Sequence, residues 1–344
     1  MTDKTAVSSP KARADFTRLL PGLLVSALAI IALYFFVDLD ELGAALRLAD
    51  YRLLPVYVLV FMGTVLVRSL AWRTILEEKA SVRDSFFVLN QAYLLNNVLP
   101  FRLGELGRAL LLSGRTSLGF WRVLSTVIVE RVFDVAIAAG LLLGTLPFVV
   151  GGEGMRNAGL WAGALVLVGF VTLFVMASYP KLIIDLVERF TRPWPKLQAW
   201  LGDKVGSFLE GLATLKNPRR FLLVTALMLF TWALNVAWYY LLMLAFLPQA
   251  TPLWALFSIA VASLGVALPS SPAYIGVLEG ALVASLGVFG VDPSTALAYA
   301  LVAHALYLVM TGIFGVIGFG QQGQSLGSVY RQLLKRSAQP EAGK

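Results

Sequence analysis

The sequence predicts an all-α, polytopic integral membrane bundle with about six full crossings and two broken or re-entrant helix pairs. Three observations predict it. Of 344 residues, 58% are hydrophobic and only 14% are charged, whereas a soluble globular chain carries about a quarter charged residues. Apolar runs long enough to cross the hydrocarbon core recur at 21–37, 53–75, 122–149, 158–178, 221–247 and 295–320. Lysine and arginine gather in alternate connecting segments, as they do when one face of a bundle lies in the cytoplasm.

Residues 1–20 form a polar tail carrying Lys4, Lys11, Arg13 and Arg18. The apolar stretch from Pro21 to Val37 follows. No small-x-small cleavage site ends it, and Asp38, Asp40 and Glu41 come at once, so it reads as an uncleaved first span. The transmembrane domain is expected over 21–320. Two apolar regions within it, 84–113 and 253–290, are interrupted. The first holds Asn96, Asn97, Pro100, Arg102, Gly104 and Glu105; the second holds Pro269, Pro272, Tyr274, Gly276 and Glu279. Each half-segment is short for a crossing, so each region reads as a broken or re-entrant helix pair. Irregular backbone at membrane depth survives only where protein or a hydrated cavity satisfies it. The segment 181–214 is amphipathic. Either it lies along the cytoplasmic surface, with Lys181, Arg189, Lys196 and Lys204 toward anionic head groups, or it is a plain connecting helix pair. The tail 321–344 is polar and basic, and is expected to fray.

With six crossings and two re-entrant pairs, both termini fall on one side. The segments 1–20, 73–84, 102–122, 179–220 and 321–344 then hold 23 of the 28 lysines and arginines, which places both termini in the cytoplasm of a cell's inner membrane. The first broken pair would approach from the cytoplasm and the second from outside, the arrangement of inverted repeats. The two breaks share a faint pattern of proline, glycine four residues later, then an acid.

Composition excludes several chemistries. There is no cysteine and only one histidine, His304, which removes disulfides, thiolate metal sites and thiol nucleophiles. No phosphate-cradling glycine motif or aspartate-rich metal motif occurs, so neither cofactor nor metal is expected. The net charge of +8 lies between apolar spans and suits anionic lipid better than nucleic acid.

Charge inside the spans is the informative signal, because an arginine or aspartate at a helix centre lies about 2.5–3.5 kcal/mol uphill. Glu130 and Arg131 sit roughly 12–14 Å into their span, and Asp134 deeper. Glu130 and Asp134 share a helix face, and Arg131 and Asp134 are spaced to pair. Either the cluster neutralises itself and locks helix packing, or it lines a polar cavity; one arginine cannot neutralise two carboxylates, so in the second reading other cations converge. Arg102, Glu105 and Arg108 recur every three residues and leave one excess positive charge beside a helix start, which suits a phosphate. Alternatively, Arg108 is a cytoplasmic flank. Asn96 and Asn97 would cap the broken ends or donate to a ligand. Glu279 has no cation nearby in sequence, so its partner must come from elsewhere; Arg68, Arg102 and Arg131 are the candidates. His304, with Tyr307 one turn on, is either a packing residue or a proton relay.

Three ordered stretches carry a resemblance: Asn97 to Arg108 (Asn-Val-Leu-Pro-Phe-Arg-Leu-Gly-Glu-Leu-Gly-Arg), Thr126 to Asp134, and Pro269 to Glu279. Together they resemble the flippase-like membrane family typified by the membrane domain of lysylphosphatidylglycerol synthases, over about residues 20–320. The family's usual Pro-Gly-Gly turn is Pro272-Ala273-Tyr274 here. The resemblance implies movement of a lipid between leaflets: an aminoacylated phospholipid, or a polyprenyl phosphate sugar in archaeal relatives. No aminoacyl-transfer domain lies within these residues, so synthesis of a modified lipid is not expected.

The expected function is thus a lipid flippase or transporter, not an enzyme, acting on a lipid with an anionic or zwitterionic head group. Asn97, Arg102, Glu105, Arg108, Glu130, Arg131, Asp134 and Glu279 would form the site. Arg68, Asn96, Tyr274, His304 and Tyr307 would be accessory, and Pro100, Gly104, Pro269, Pro272 and Gly276 would break the helices. A gradient or passive scrambling would drive exchange. The rivals are a membrane transferase acting on a lipid carrier, and a non-transporting partner of a separately encoded lipid-modifying enzyme.

Overall fold

A computed structural model of the chain describes residues 37–99, 102–151, 178–194, 212–267, 271–321 and 326–338 continuously, with scattered residues between those stretches and from 27 onward. The expected spans 21–37 and 158–178 fall largely outside the described residues, as do Pro100 and Pro269. Among the described residues all regular structure is helical.

Four long apolar helices match four expected spans: α2 (Leu54–Ile75), α5 (Phe120–Val150), α7 (Pro218–Phe246) and α10 (Pro293–Gln321). The first broken region folds as α3 (Val82–Val98) and α4 (Leu103–Ser113), the second as α8 (Pro252–Gly265) and α9 (Val277–Gly287). Starts are written locally. Pro55, Pro218, Pro252 and Pro293 lie in first turns, where the missing N–H costs nothing. Ser81 accepts the Asp84 N–H at 2.9 Å to open α3, and Asp292 accepts the Thr295 N–H at 2.8 Å to open α10.

The helices α2–α5 and α7–α10 repeat one another in order and in packing. Each long leading helix contacts the first limb of its own pair (α2 on α3, α7 on α8), and each pair packs limb on limb. The second limb then lies on the helix that follows (α4 on α5, α9 on α10). Between the halves, α2 pairs with α7, while α3 packs on α10 and α8 on α5. The halves run in opposite directions. Tyr51, just before α2, meets Phe246 at the end of α7, while Glu78, beyond α2, meets Arg220 at the start of α7. Arg83 at the start of α3 likewise reaches Gln321 at the end of α10. Reciprocal packing with reversed direction is the geometry of an inverted repeat.

Charge separates along the bundle. Lys79, Arg83, Arg115, Arg122 and Arg220 cluster at one end around Glu77, Glu78 and Asp84. Asp38, Asp40, Glu41, Asp50 and Asp292 mark the other, where Asp38 meets Ser294 and Asp50 meets Ala245.

Two elements differ from expectation. Leu39–Leu48 is a helix, α1, which the sequence reading did not expect; Asp38 caps it, Asp40 and Glu41 lie in its first turn, and it packs on the start of α10. In the tail expected to fray, Leu326–Ala338 forms α11, docked on α4 with Val329 buried. The apolar anchors Leu326 and Val329 in a polar stretch were too few to read as periodicity. The expected surface segment begins with α6 (Pro180–Thr191), which exposes Leu182, Leu186 and Phe190 on one face, as an interfacial helix does.

Gly104 sets the closeness of the first pair. A Cβ there would lie 2.1 Å from the Ala92 carbonyl oxygen and 2.5 Å from Asn96 Oδ1. Gly104→Ala is therefore expected to push α4 off α3 and destabilise the fold by about 1–3 kcal/mol. Thermal melting in detergent reads this out; an unchanged midpoint would contradict the packing.

Candidate charged cavity between the two broken helix pairs

The tips of α4 and α9 define the site. The residue capping α4 is Arg102, in the left-handed region at φ +52°; the residue capping α9 is Gly276 at φ +85°. Three residues into each helix stands an acid, Glu105 in the first half and Glu279 in the second. The structure therefore aligns Arg102 with Gly276, and the two glycines of the sequence pattern are not equivalent. Gly104 serves close approach; Gly276 serves the backbone turn.

Free N–H groups at such tips need partners. Asn96, on α3, accepts the Gly104 N–H at 2.8 Å, capping the opposite limb of its own pair. Glu279 Oε2 accepts the Gly276 N–H at 2.7 Å. Before α9, the 3₁₀ turn Pro272–Tyr274 packs on α3, and Ala273 and Tyr274 both adopt positive φ, +58° and +62°. A Pro-Gly-Gly turn would adopt these angles freely. Here the conformation persists without glycine, at a strain of about 1–2 kcal/mol per residue. It lays the Tyr274 ring 5.4 Å beneath the Arg102 guanidinium, and the same guanidinium donates to the Val266 carbonyl at the end of α8. The two tips thus meet.

Behind the tips runs a chain of ion pairs. Arg108 of α4 grips Glu130 of α5 with two hydrogen bonds, 3.1 and 2.6 Å, and stacks 3.6 Å over the Trp72 ring of α2. Arg68 of α2 lies 2.5 Å from Glu130 and binds both oxygens of Asp134, at 3.1 and 2.6 Å. Asp134 also accepts from Arg131 at 3.1 Å and from Trp232 of α7 at 3.2 Å. Arg131 Nε then lies 2.8 Å from Glu105, and Arg102 3.7 Å from the same oxygen. In the second half the described residues place Glu279 Oε1 2.5 Å from His304 Nδ1, a contact that is an ion pair only when the imidazole is protonated.

A cavity of about 240 Å³ opens against this wall. Arg68, Arg102, Arg131, Asp134, Asn96, Asn235, Tyr274, His304 and Tyr307 line it, together with the rings of Phe61, Tyr93, Trp232, Trp238 and Tyr239 and smaller apolar side chains. Cationic donors among aromatic and apolar side chains suit an anionic group carried on an apolar body.

Several expected ligand contacts move to other roles. Arg108 and Glu130 are 1% and 0% exposed and are off the wall; their mutual pairing and their contacts with Trp72 and Arg68 hold α4 to α5 and α2. Arg108 thus turns onto Trp72 and Glu130 and does not line the cavity. Glu279 is paired with His304, not with an arginine, and also lies behind the wall, as does Glu105. Asn97 donates to Thr311 on α10 at 3.0 Å instead of facing the cavity. Arg68, expected as accessory, links both acids of α5. The aromatic wall from α2, α3 and α7 gave no local signal, since such residues are ordinary in apolar spans. Glu279 and His304 did leave one: the 25 residues between them nearly repeat the 26 between Glu105 and Arg131.

The lysylphosphatidylglycerol synthase TM region family matches residues 20–315 of the chain. Among curated relatives, the chain is similar to Glycosyltransferase AglD of Haloferax volcanii, 25% identical over 346 residues that take in 86% of this chain and 53% of AglD. The chain thus spans about half the length of that relative. It is also similar to UPF0104 membrane proteins of Methanothermobacter thermautotrophicus (25% identical, 85% of this chain and 90% of the relative) and Methanocaldococcus jannaschii (23%, 86% and 92%).

Proposed function

The chain belongs to the family of lysylphosphatidylglycerol synthase TM regions, and from that membership we propose that it moves a lipid with an anionic or zwitterionic head group between membrane leaflets. The observation that carries the proposal is the meeting of two helix tips, from oppositely directed halves, at one arginine-lined cavity. Inverted halves of this kind expose a fixed midplane site alternately to each side. Arg102 and Arg131, partly exposed on the wall, hold the phosphate; Arg68 and Asp134 fix Arg131; the acyl chains stay in lipid. The basic end of the bundle faces the cytoplasm of the inner membrane. No nucleotide motif is at hand, so exchange runs on a gradient or passively.

The test is leaflet exchange of fluorescent phosphatidylglycerol in proteoliposomes. Arg102→Gln and Arg131→Gln are each expected to slow exchange roughly ten- to a hundredfold, the loss of one charge-assisted hydrogen bond, and to lower the melting midpoint, since each also gives up its contact with Glu105. The name of the AglD relative raises the transferase alternative. A covalent lipid product formed without leaflet exchange would replace transport by that reading, and wild-type rates in both variants would remove the assigned phosphate contacts.

A further inference from the structure

Superposing the two halves by chain order puts His304 where Arg131 stands. Each lies eleven residues beyond the first residue of its long helix, Phe120 or Pro293, and each pairs with the acid at the third position of the preceding half-helix. In the first half the cation is an arginine, whose charge is permanent. In the second it is an imidazole, whose charge depends on a proton.

The rest of the cluster is balanced. Arg68, Arg102, Arg108 and Arg131 face Glu105, Glu130, Asp134 and Glu279, four charges of each sign. His304 therefore decides whether the assembly is neutral or carries one positive charge. Its ring is 4% exposed, and Nδ1 is taken by Glu279. Nε2 is buried without a hydrogen-bond partner among the described residues, in a side chain that lines the cavity. A neutral imidazole donating through Nδ1 leaves Nε2 as an acceptor, which repels a phosphate oxygen; protonation makes Nε2 a donor.

We propose that His304 Nε2 is a proton-linked contact for the lipid phosphate, so that the site takes up one proton with each phosphodiester anion it binds. This deepens the transport reading and rests on it. The titratable and charged groups that line the cavity with His304 are Arg68 from α2, Tyr93 from α3, Arg102 at the start of α4, Arg131 and Asp134 from α5, Tyr239 from α7, Tyr274 from the turn and Tyr307 from α10. Unperturbed phenols and guanidiniums do not titrate between pH 5 and 8, and Asp134 is clasped by two arginines. The proton therefore falls to the pair itself. Binding is strongest below the imidazole midpoint and weakens as pH rises through it, and the bound anion moves that midpoint upward by the same coupling.

Two measurements test this. In proteoliposomes with equal pH on both sides, wild-type exchange of fluorescent phosphatidylglycerol should fall about tenfold per pH unit above the midpoint, as one linked proton requires. His304→Arg, which copies the first half, should give a fast, flat profile, and His304→Gln a slow, flat one. A flat wild-type profile, or a wild-type slope retained in His304→Arg, would overturn the proposal. The second measurement is NMR on histidine-labelled, tag-free protein, where the chain's single histidine gives one titrating ring. Dihexanoylphosphatidylglycerol should displace the Nε2 signal and move the titration to higher pH; no displacement would also overturn the proposal. If wild-type protein exchanges no lipid at any pH, the transport reading fails, and the NMR titration alone decides whether the phosphate contact exists.

Discussion

Arg68→Ala is expected to lower stability by about 3–5 kcal/mol, the cost of breaking a buried ion pair from one side, and to abolish lipid exchange. Arg68 lies 2.5 Å from Glu130 and 2.6 Å from Asp134, with its side chain 8% exposed. Without it, Glu130 keeps only Arg108, and Asp134 keeps Arg131 and the Trp232 N–H. Two carboxylates in low dielectric then share too few cations, and the repulsion falls on the α2, α5 and α7 packing. Arg68→Lys keeps the charge but cannot span both acids with a rigid fork, so it should recover only part of the stability. Arg68→Met combined with Asp134→Leu removes charge of both signs. It should recover most of the melting midpoint while leaving exchange undetectable, because Arg131 has lost the carboxylate that aims it into the cavity. Thermal melts in mild detergent and the leaflet-exchange assay separate the two effects. Wild-type exchange in the double variant would show that the network serves packing alone.

How much of this was legible depends on the distance over which each feature is encoded. The long helices α2, α5, α7 and α10 end within about three residues of the apolar runs, because hydrocarbon thickness imposes one length on every crossing. The two pairs were legible because proline, asparagine and charge interrupt apolar sequence only where something satisfies them. The α5 cluster was also visible, since an excess of carboxylate over arginine within one span demands cations from elsewhere. Which cations answered was not. Arg68 is 66 residues from Asp134, and nothing in its own span distinguishes it from a lone packing charge. That Arg108 turns away from the cavity was hidden for a related reason. Three-residue spacing puts Arg102, Glu105 and Arg108 near one face, but a helix face does not say whether it looks into a cavity or, as Arg108 does, onto Trp72 and Glu130. Reading Glu279 with an arginine failed because the fold supplies the equivalent cation from the equivalent helix, and there it is His304.

A disulfide joining α3 to α10 is expected to arrest lipid exchange, and reduction to restore it. The wall of the cavity is shared between the halves, so opening it to either side requires one half to move against the other, and the α3–α10 contact lies across that division. A Cβ on Gly318 would stand 3.3 Å from Phe87 Cβ, a few tenths of an ångström short of common disulfide geometry, with only the flexible Gln91 side chain to displace. The chain has no cysteine, so Phe87→Cys with Gly318→Cys forms a single defined pair. Its control is Gly265→Cys with Ala281→Cys, whose Cβ atoms would also be 3.3 Å apart. That bond joins α8 to α9 within one helix pair and should leave exchange running. Both bonds impose comparable local strain, so strain alone would slow both variants equally. Arrest by the first bond only, reversed by dithiothreitol, would identify relative motion of the halves as the moving step. Undiminished exchange through a fully oxidised Phe87–Gly318 staple would mean that the lipid passes without that motion, along a fixed groove in which the arginines act as a stationary relay.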